Sequence, residues 1–388
     1  MTVVLLCLGI AMAETDWTAV YTEIRESNAE LNALKLESAA HYNDISSQFR
    51  WDALQVGGYY LTNPNSPSDY TEWEISQQLP SLLSLGTQQQ YLQQLDVLNH
   101  QQIRSLEQEM LLKATFTLLE LVYLHQRSKT VAHRLTLAEK HLQHYQALLT
   151  AGEVSASEVQ KVQLVALENQ FALQKVDTDI QHALQRLEQL KGSPLAVHPT
   201  TYPRDIEPID PTSLWEERVQ QDIDLQKAQS NTRLAETYWK MEKQRLFPSI
   251  SIGANSQGIL NDRYSGVYLG MSIPLYKSSK SITSASLQHQ QSLSMQKHLL
   301  SVAEQQFNTQ YREFAALHSQ YERLKSILST VPYEAQLESQ LTSGALSFVQ
   351  YHREYEFYVQ AEDQLLALEL QLQQLMAELY THRLLERP

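Results

Sequence analysis

Residues 246–276 read LFPSISIGANSQGILNDRYSGVYLGMSIPLY, one of two places where a helical pattern gives way to strand. From Ser249 to Ala254, Ile250, Ile252 and Ala254 alternate with Ser249, Ser251 and Gly253. From Val267 to Ile273, Val267, Leu269, Met271 and Ile273 alternate with Tyr268, Gly270 and Ser272. Period-two alternation on both sides of a turn-rich stretch, Gln257 to Gly266, predicts a β-hairpin, bracketed by Pro248 and Pro274.

A second such unit lies upstream. Residues 55–61 (QVGGYYL) and 71–79 (TEWEISQQL) flank a turn containing NPNSPSD, and Pro80 closes the second arm. Thr71, Trp73, Ile75 and Leu79 fall on one face, and Glu72, Glu74, Ser76 and Gln78 on the other. The closing prolines, Pro80 and Pro274, are 194 positions apart, and the turns LTAGEVS from Leu149 and LTSGALS from Leu341 are 192 apart. The chain therefore reads as a tandem duplication.

The rest is patterned as helix. Glu14 to Ala53 contains neither Gly nor Pro and spaces Ile24, Leu31, Leu34 and Ile45 at helical intervals, predicting one amphipathic helix. Ser81 to Thr150 carries a single glycine, Gly86, and a helix of that length reaches roughly 100 Å. Leu121, Leu124, Val131, Leu135, Ala138, Leu142, Tyr145 and Leu149 form a heptad seam on it, with Ser128 as its polar member. After Ala151-Gly152, Glu153 to Lys191 carries its own seam from Val159 to Leu190, and so short a turn makes the two helices antiparallel. Gly192 to Pro211 holds five of the 12 prolines and is expected to link the halves without regular helix. Thr212–Leu246, Leu275–Val331 and Ala345–Arg387 repeat the helical plan, the last with a seam from Tyr358 to Leu379. Pro332 has no first-half counterpart and is expected to kink its helix.

These boundaries divide the chain into residues 1–13, a first repeat 14–191 with its hairpin at 55–79, a linker 192–211, and a second repeat 212–388 with its hairpin at 249–274. The opening MTVVLLCLGIAMAETDW has an apolar core and an Ala-Met-Ala site, and reads as a signal peptide cleaved after Ala13, although it lacks a basic start. Cys7, the single cysteine, lies inside it, so a disulfide framework is excluded. A formal net charge of -14 argues against nucleic acid as a partner. No run of 18 apolar residues offers a transmembrane helix.

Four short amphipathic strands cannot close a barrel alone, and open sheet edges are not tolerated in lipid. Three copies would supply 12 strands. The alternative is a soluble coiled-coil protein, a periplasmic scaffold or adaptor, with the hairpins as a small cap.

The order helix, hairpin ending in Pro, long helix, LTxGxxS turn and returning helix resembles the outer-membrane factor (TolC) family, over essentially the whole chain after residue 13. The resemblance is carried by SNAELNALKLESAA (Ser27–Ala40), EISQQLP (Glu74–Pro80), LFPSISIGA (Leu246–Ala254), LGMSIPLY (Leu269–Tyr276) and the turns at Gly152 and Gly344. The first helix and EISQQLP most resemble CzcC-like members of heavy-metal cation efflux systems; drug efflux and type I secretion are the alternatives within the family. The resemblance implies a mainly α fold with a small β part: a homotrimeric 12-stranded outer-membrane β-barrel continued by a periplasmic α-helical barrel. It implies a passive duct rather than an enzyme, with a membrane-fusion adaptor and an inner-membrane pump, of the RND type, as partners, outer-membrane lipid as surroundings, and no cofactor.

No catalytic motif or metal-ligand constellation stands out. His133, His141 and His144 share a stretch of the long helix, where residues flanking a heptad seam are expected to be solvated rather than ligating. Glu72 and Glu74 would face the barrel lumen as acidic rings, which fits cation passage; the same pattern fits a solvated sheet face. The resemblance places Gly152, Val154, Ser155, Gly344, Leu346 and Ser347 at the periplasmic tips that meet the adaptor. In some family members acidic residues six and nine positions after the second-half glycine constrict the entrance. Those positions here are Gln350 and Arg353, so that lock is not carried over; only Glu158, six after Gly152, keeps an acid.

Overall fold

Asn28 interrupts what the sequence presents as one helix. Its side-chain oxygen accepts the Leu31 backbone N–H at 2.9 Å while its amide nitrogen donates to the Leu190 carbonyl at 2.7 Å, so residues 17–27 (α1) end there and α2 (Ala29–Ser47) starts anew. The second half does the same at Asp222, whose carboxylate accepts the N–H groups of Asp224 and Leu225 at 2.9 and 3.1 Å. The segment expected as one helix from Thr212 is thus α5 (Pro211–Gln221) and α6 (Ile223–Gln244). The two caps are offset by 194 positions, as the closing prolines are.

The computed structural model describes residues 17–49, 53–62, 64–65, 69–79, 82–192, 199–259, 262–272, 279–330 and 332–385. Residues 1–13, Pro80, Ile273 to Tyr276 and residues 193–198 of the expected linker lie outside them. The remaining helices are α3 (Leu82–Ala151), α4 (Ala156–Lys191), α7 (Ser279–Thr330), α8 (Tyr333–Thr342) and α9 (Phe348–Leu379), followed by a 3-10 turn, Thr381–Leu385. Gly86 leaves α3 unbroken at 70 residues. Pro332 does more than kink its helix: at φ -75° and ψ 68° it stands outside helical geometry and separates α7 from α8.

The strands are β1 (Gln55–Leu61), β2 (Tyr70–Leu79), β3 (Ser249–Ile259) and β4 (Asp262–Ser272). The second hairpin is longer than its alternation indicates, because backbone pairing continues through Ile259↔Asp262 and the Ser265 hydroxyl donates to Ser256 Oγ at 2.9 Å. Most of the expected 257–266 loop is therefore strand. The two hairpins join into one antiparallel sheet of order β1-β2-β3-β4, through β2·β3 pairs from Thr71↔Gly258 to Leu79↔Ile250.

The chain divides into two compact units, each drawing on both sequence halves. One contains Leu106–Gln221, Ala303–Pro388 and the N-terminal segment through Asn32; the other contains Ala33–Ser105 and Asp222–Val302, including the sheet. In the first unit two equivalent cores recur. Trp17, Tyr21 and Ile24 of α1 pack with Leu111, Leu118 and Leu121 of α3 and Val176, Ala183 and Leu187 of α4. Leu214 of α5 packs with Phe307, Phe314 and Tyr321 of α7 and Leu368, Leu372 and Leu379 of α9. Truncating one such leucine to alanine costs about 2–5 kcal/mol. The seam positions Val131, Ala138, Val162, Ala183, Leu187, Leu372 and Leu379 all point inward.

Candidate channel wall and helical tips

Residues paired across antiparallel strands project from the same side of the sheet. One side therefore carries the register row Val56, Ile75, Ala254, Val267 and the row Leu79, Ile250, Met271, with Ile252 and Leu269 between them beside Gln77. This apolar side is the exposed one: Val267 is 94% exposed, Leu269 76% and Val56 70%. The opposite side carries Glu72 beside Tyr59 and Gln257, Glu74 beside Asn255, Ser76 beside Gly253, and Gln78 beside Ser251, and here Ser76 is only 8% exposed. A sheet in a water-soluble domain hides its apolar side and wets its polar one. This sheet leaves its apolar side exposed, while its polar side is largely half-buried on β2 and β3 and exposed on β1 and β4. Its polar side, among the described strand residues, has the carboxylates of Glu72, Glu74 and Asp262 and no Lys or Arg; Arg263, paired with Gly258, lies on the other side.

The two helical turns are near copies. Gly152 at φ 77° and Gly344 at φ 76° are left-handed, a backbone that other L-residues enter at a cost. Gly152 N–H donates to Leu149 O at 3.0 Å and Glu153 N–H to Leu148 O at 2.9 Å; Gly344 and Ala345 donate in the same way to Leu341 and Gln340. Ser155 caps α4 in a reciprocal box: its hydroxyl accepts the Glu158 N–H, and its own N–H donates to Glu158 Oε2 at 2.8 Å. Ser347 and Gln350 form the same box on α9. Glu158 and Gln350 thus have a local role, and the Ser155 N–H and hydroxyl hold the Glu158 carboxyl below its ordinary range. Arg353 is exposed, with Nη2 3.4 Å from Glu354 Oε1. Val154 and Leu346 are half-buried, Leu346 against a cluster of Val162, Leu337, Phe348 and Tyr351.

The histidines depart from expectation at His141. It is 7% exposed rather than solvated, set edge-on to the Phe348 and Tyr351 rings with Nε2 2.9 Å from Glu338 Oε1. His133 Nε2 is 2.7 Å from Glu334 Oε1, and His144 is exposed beside Tyr145. Both carboxylates come from α8, which the heptad pattern of α3 cannot reveal. Among the described residues no three His, Cys, Asp or Glu side chains gather as a metal site, and no helix is long and apolar enough to cross a membrane.

Solved structures share this architecture. VceC, an outer membrane protein from Vibrio cholerae, is 12% identical over 96% of this chain and 95% of its own, with a TM-score of 0.71. The outer membrane channel CmeC of Campylobacter jejuni is 10% identical over 95% and 85%, at 0.74. CusC, described for its transmembrane channel formation, is 16% identical over 95% and 92%, at 0.72. The chain has the fold of these outer-membrane channels. No family model and no curated protein matches the sequence, so the channel fold rests on architecture rather than on sequence identity.

Proposed function

We propose that this chain is the passive, non-enzymatic outer-membrane exit duct of a tripartite efflux system, one member of a homotrimer whose three sheets close into a 12-stranded barrel and whose helices extend into the periplasm. The observation that carries this reading is the sheet's exposed apolar side, opposite a side that carries carboxylates, with β1 and β4 as open edges. Bare edges cost several kcal/mol per unpaired group in hydrocarbon, which pairing β1 of one copy with β4 of the next removes. β2, β3 and β4, at ten, eleven and eleven residues, have the length of an outer-membrane strand. A membrane-fusion adaptor meeting the tips at Gly152–Ser155 and Gly344–Ser347, and an inner-membrane pump of the RND type, complete the system.

For the cargo we propose heavy-metal cations. The polar face presents Glu72 and Glu74 without a basic residue beside them, and threefold repetition turns each into an acidic ring that concentrates cations without the tight binding that would stop their exit. The test is detergent extraction from outer membranes, a mass measurement, and bilayer conductance. A trimer with cation-selective pores is expected, and its selectivity should fall when Glu72 and Glu74 are both changed to Gln. A stable monomer recovered in osmotic-shock fluid would instead mark a periplasmic scaffold. Pores whose selectivity ignores the double substitution would remove the acidic rings from the account.

A further inference from the structure

α8 is a ten-residue helix with a break at each end: Pro332 frees it from α7, and the left-handed Gly344 turns the chain toward α9. Between these joints it is held by side chains. Leu337 enters the cluster of Val162, Phe348 and Tyr351, Glu334 meets His133, and Glu338 meets both His141 and the Tyr351 hydroxyl, which donates to it at 2.6 Å. We propose that His141 makes the seating of α8 acid-sensitive, so that α8 is docked at neutral pH and loosened when the imidazole takes a proton.

The argument is one of competing environments. In the docked state the buried ring packs against Phe348 and Tyr351, where a charge loses water. From α8 only Glu338 favours the charge, and its Oε1 is already shared with Tyr351. From α9, Tyr351, His352 and Tyr355 supply no negative charge, while Glu356, like Glu168 of α4, lines the neighbouring cavity. On α3 itself Lys140 and His144 oppose protonation, and Arg134 at the same cavity is already committed to Glu362 and Asp363. Burial prevails, pushing His141 below its ordinary value despite Glu338. Once α8 leaves, the imidazole is hydrated and titrates near the ordinary value of about 6.5. The undocked state therefore binds the proton more tightly, and acid shifts the population toward it. A cavity of about 220 Å³ beside His141 gives water and protons a route in. The other contact of α8 with a histidine, His133–Glu334, is exposed at His133 and screened by solvent.

This does not depend on the duct reading, and its test needs no transport. Amide hydrogen exchange of the full chain in detergent, at pH 7.5 and 5.5 and corrected for the intrinsic pH dependence, reports protection across Glu334–Thr342. Wild type should lose protection several-fold in acid while Val162–Leu187 of α4 stays constant. His141→Gln should abolish the pH effect, and Glu338→Gln should enlarge it, because the one carboxylate offsetting burial is gone. Should Gln disturb the packing, His141→Phe keeps a ring beside Phe348 and must give the same pH independence. Equal or greater protection of α8 in acid, or an undiminished acid effect in the His141 variants, overturns the proposal.

Discussion

Arg383 grips the Glu217 carboxylate with two guanidinium nitrogens, Nε lying 2.5 Å from Oε1 and Nη2 pairing with Oε2. The buried His382 adds its Nε2 at 3.0 Å from Oε1. This bidentate clasp fastens the C-terminal 3-10 turn to α5, across 166 positions of sequence. The Arg383 hydrogen bonds, with smaller help from His382, depress the Glu217 carboxyl to about 2. A depressed acid stabilises the folded state above its ordinary value of 4.5, and that contribution is lost as pH falls from there toward 2. Wild type should lose stability relative to Glu217→Gln across that window and lead it above pH 5, as thermal melts at stepped pH would record. Parallel curves would mean that the clasp contributes nothing.

Asn28 and Asp222 should be interchangeable in kind. Asn28→Ala and Asp222→Ala each remove an N-cap, at a cost of about 1 kcal/mol. Asn28→Asp should keep the cap while losing the bond from its amide nitrogen to Leu190 O. Urea titration of the three variants measures this; an Ala variant as stable as wild type at either site would show that the helix break needs no cap.

On the exposed apolar side, Val267→Arg should be the most damaging surface substitution, because an arginine in mid-bilayer costs about 2–4 kcal/mol. Trp73→Asp, one register row nearer the hairpin ends and 43% exposed, should impair insertion less. Outer-membrane yield by fractionation ranks the pair. Normal yield of Val267→Arg would remove lipid from that face.

Beyond their immediate chain neighbours, Gly152 and Gly344 have open space where a Cβ would sit, so the backbone conformation limits these sites. Gly→Val at either should strain the turn by roughly 1–2 kcal/mol, whereas Asn, which visits the left-handed region, should be tolerated. The Val variants should assemble as trimers yet fail to crosslink to the adaptor, and the Asn variants should do both. Full efflux from both Val variants would move adaptor docking elsewhere.

The architecture was largely legible because glycine and proline, Gly86 apart, fall in the hairpins and at element boundaries, and the helical periodicity runs long between them. Three features were not. The caps at Asn28 and Asp222 carry neither residue, and an Asn or Asp inside a helical pattern looks like a solvated position until its acceptor is seen taking an N–H. The strand residues Asn255–Ile259 and Asp262–Gly266 lose their alternation to polar and small residues, and backbone pairing extends the hairpin through them. Burial of His141 depends on α8, an element distant in sequence, and no periodicity within α3 reports what another helix lays over it. The candidate tip glycines were legible through the duplicated turn; the capping roles of Glu158 and Gln350 stand in the sequence as Ser-x-x-Glu and Ser-x-x-Gln, a signature that a comparison with acidic rings passes over.

The four strands are unequal: β1 has seven residues, while β4 at the other edge has eleven. In the three-chain barrel proposed above, each joint between copies can be no longer than β1 and no chain crosses it, whereas the equally short β1·β2 joint lies within one hairpin and the other joints inside a chain are longer. Such a barrel resembles a cask whose staves are each glued from four strips and held to one another by their shortest edge. Under heat or force it should part between staves before any stave splits, so that the first product of failure is a single chain with its own sheet still paired.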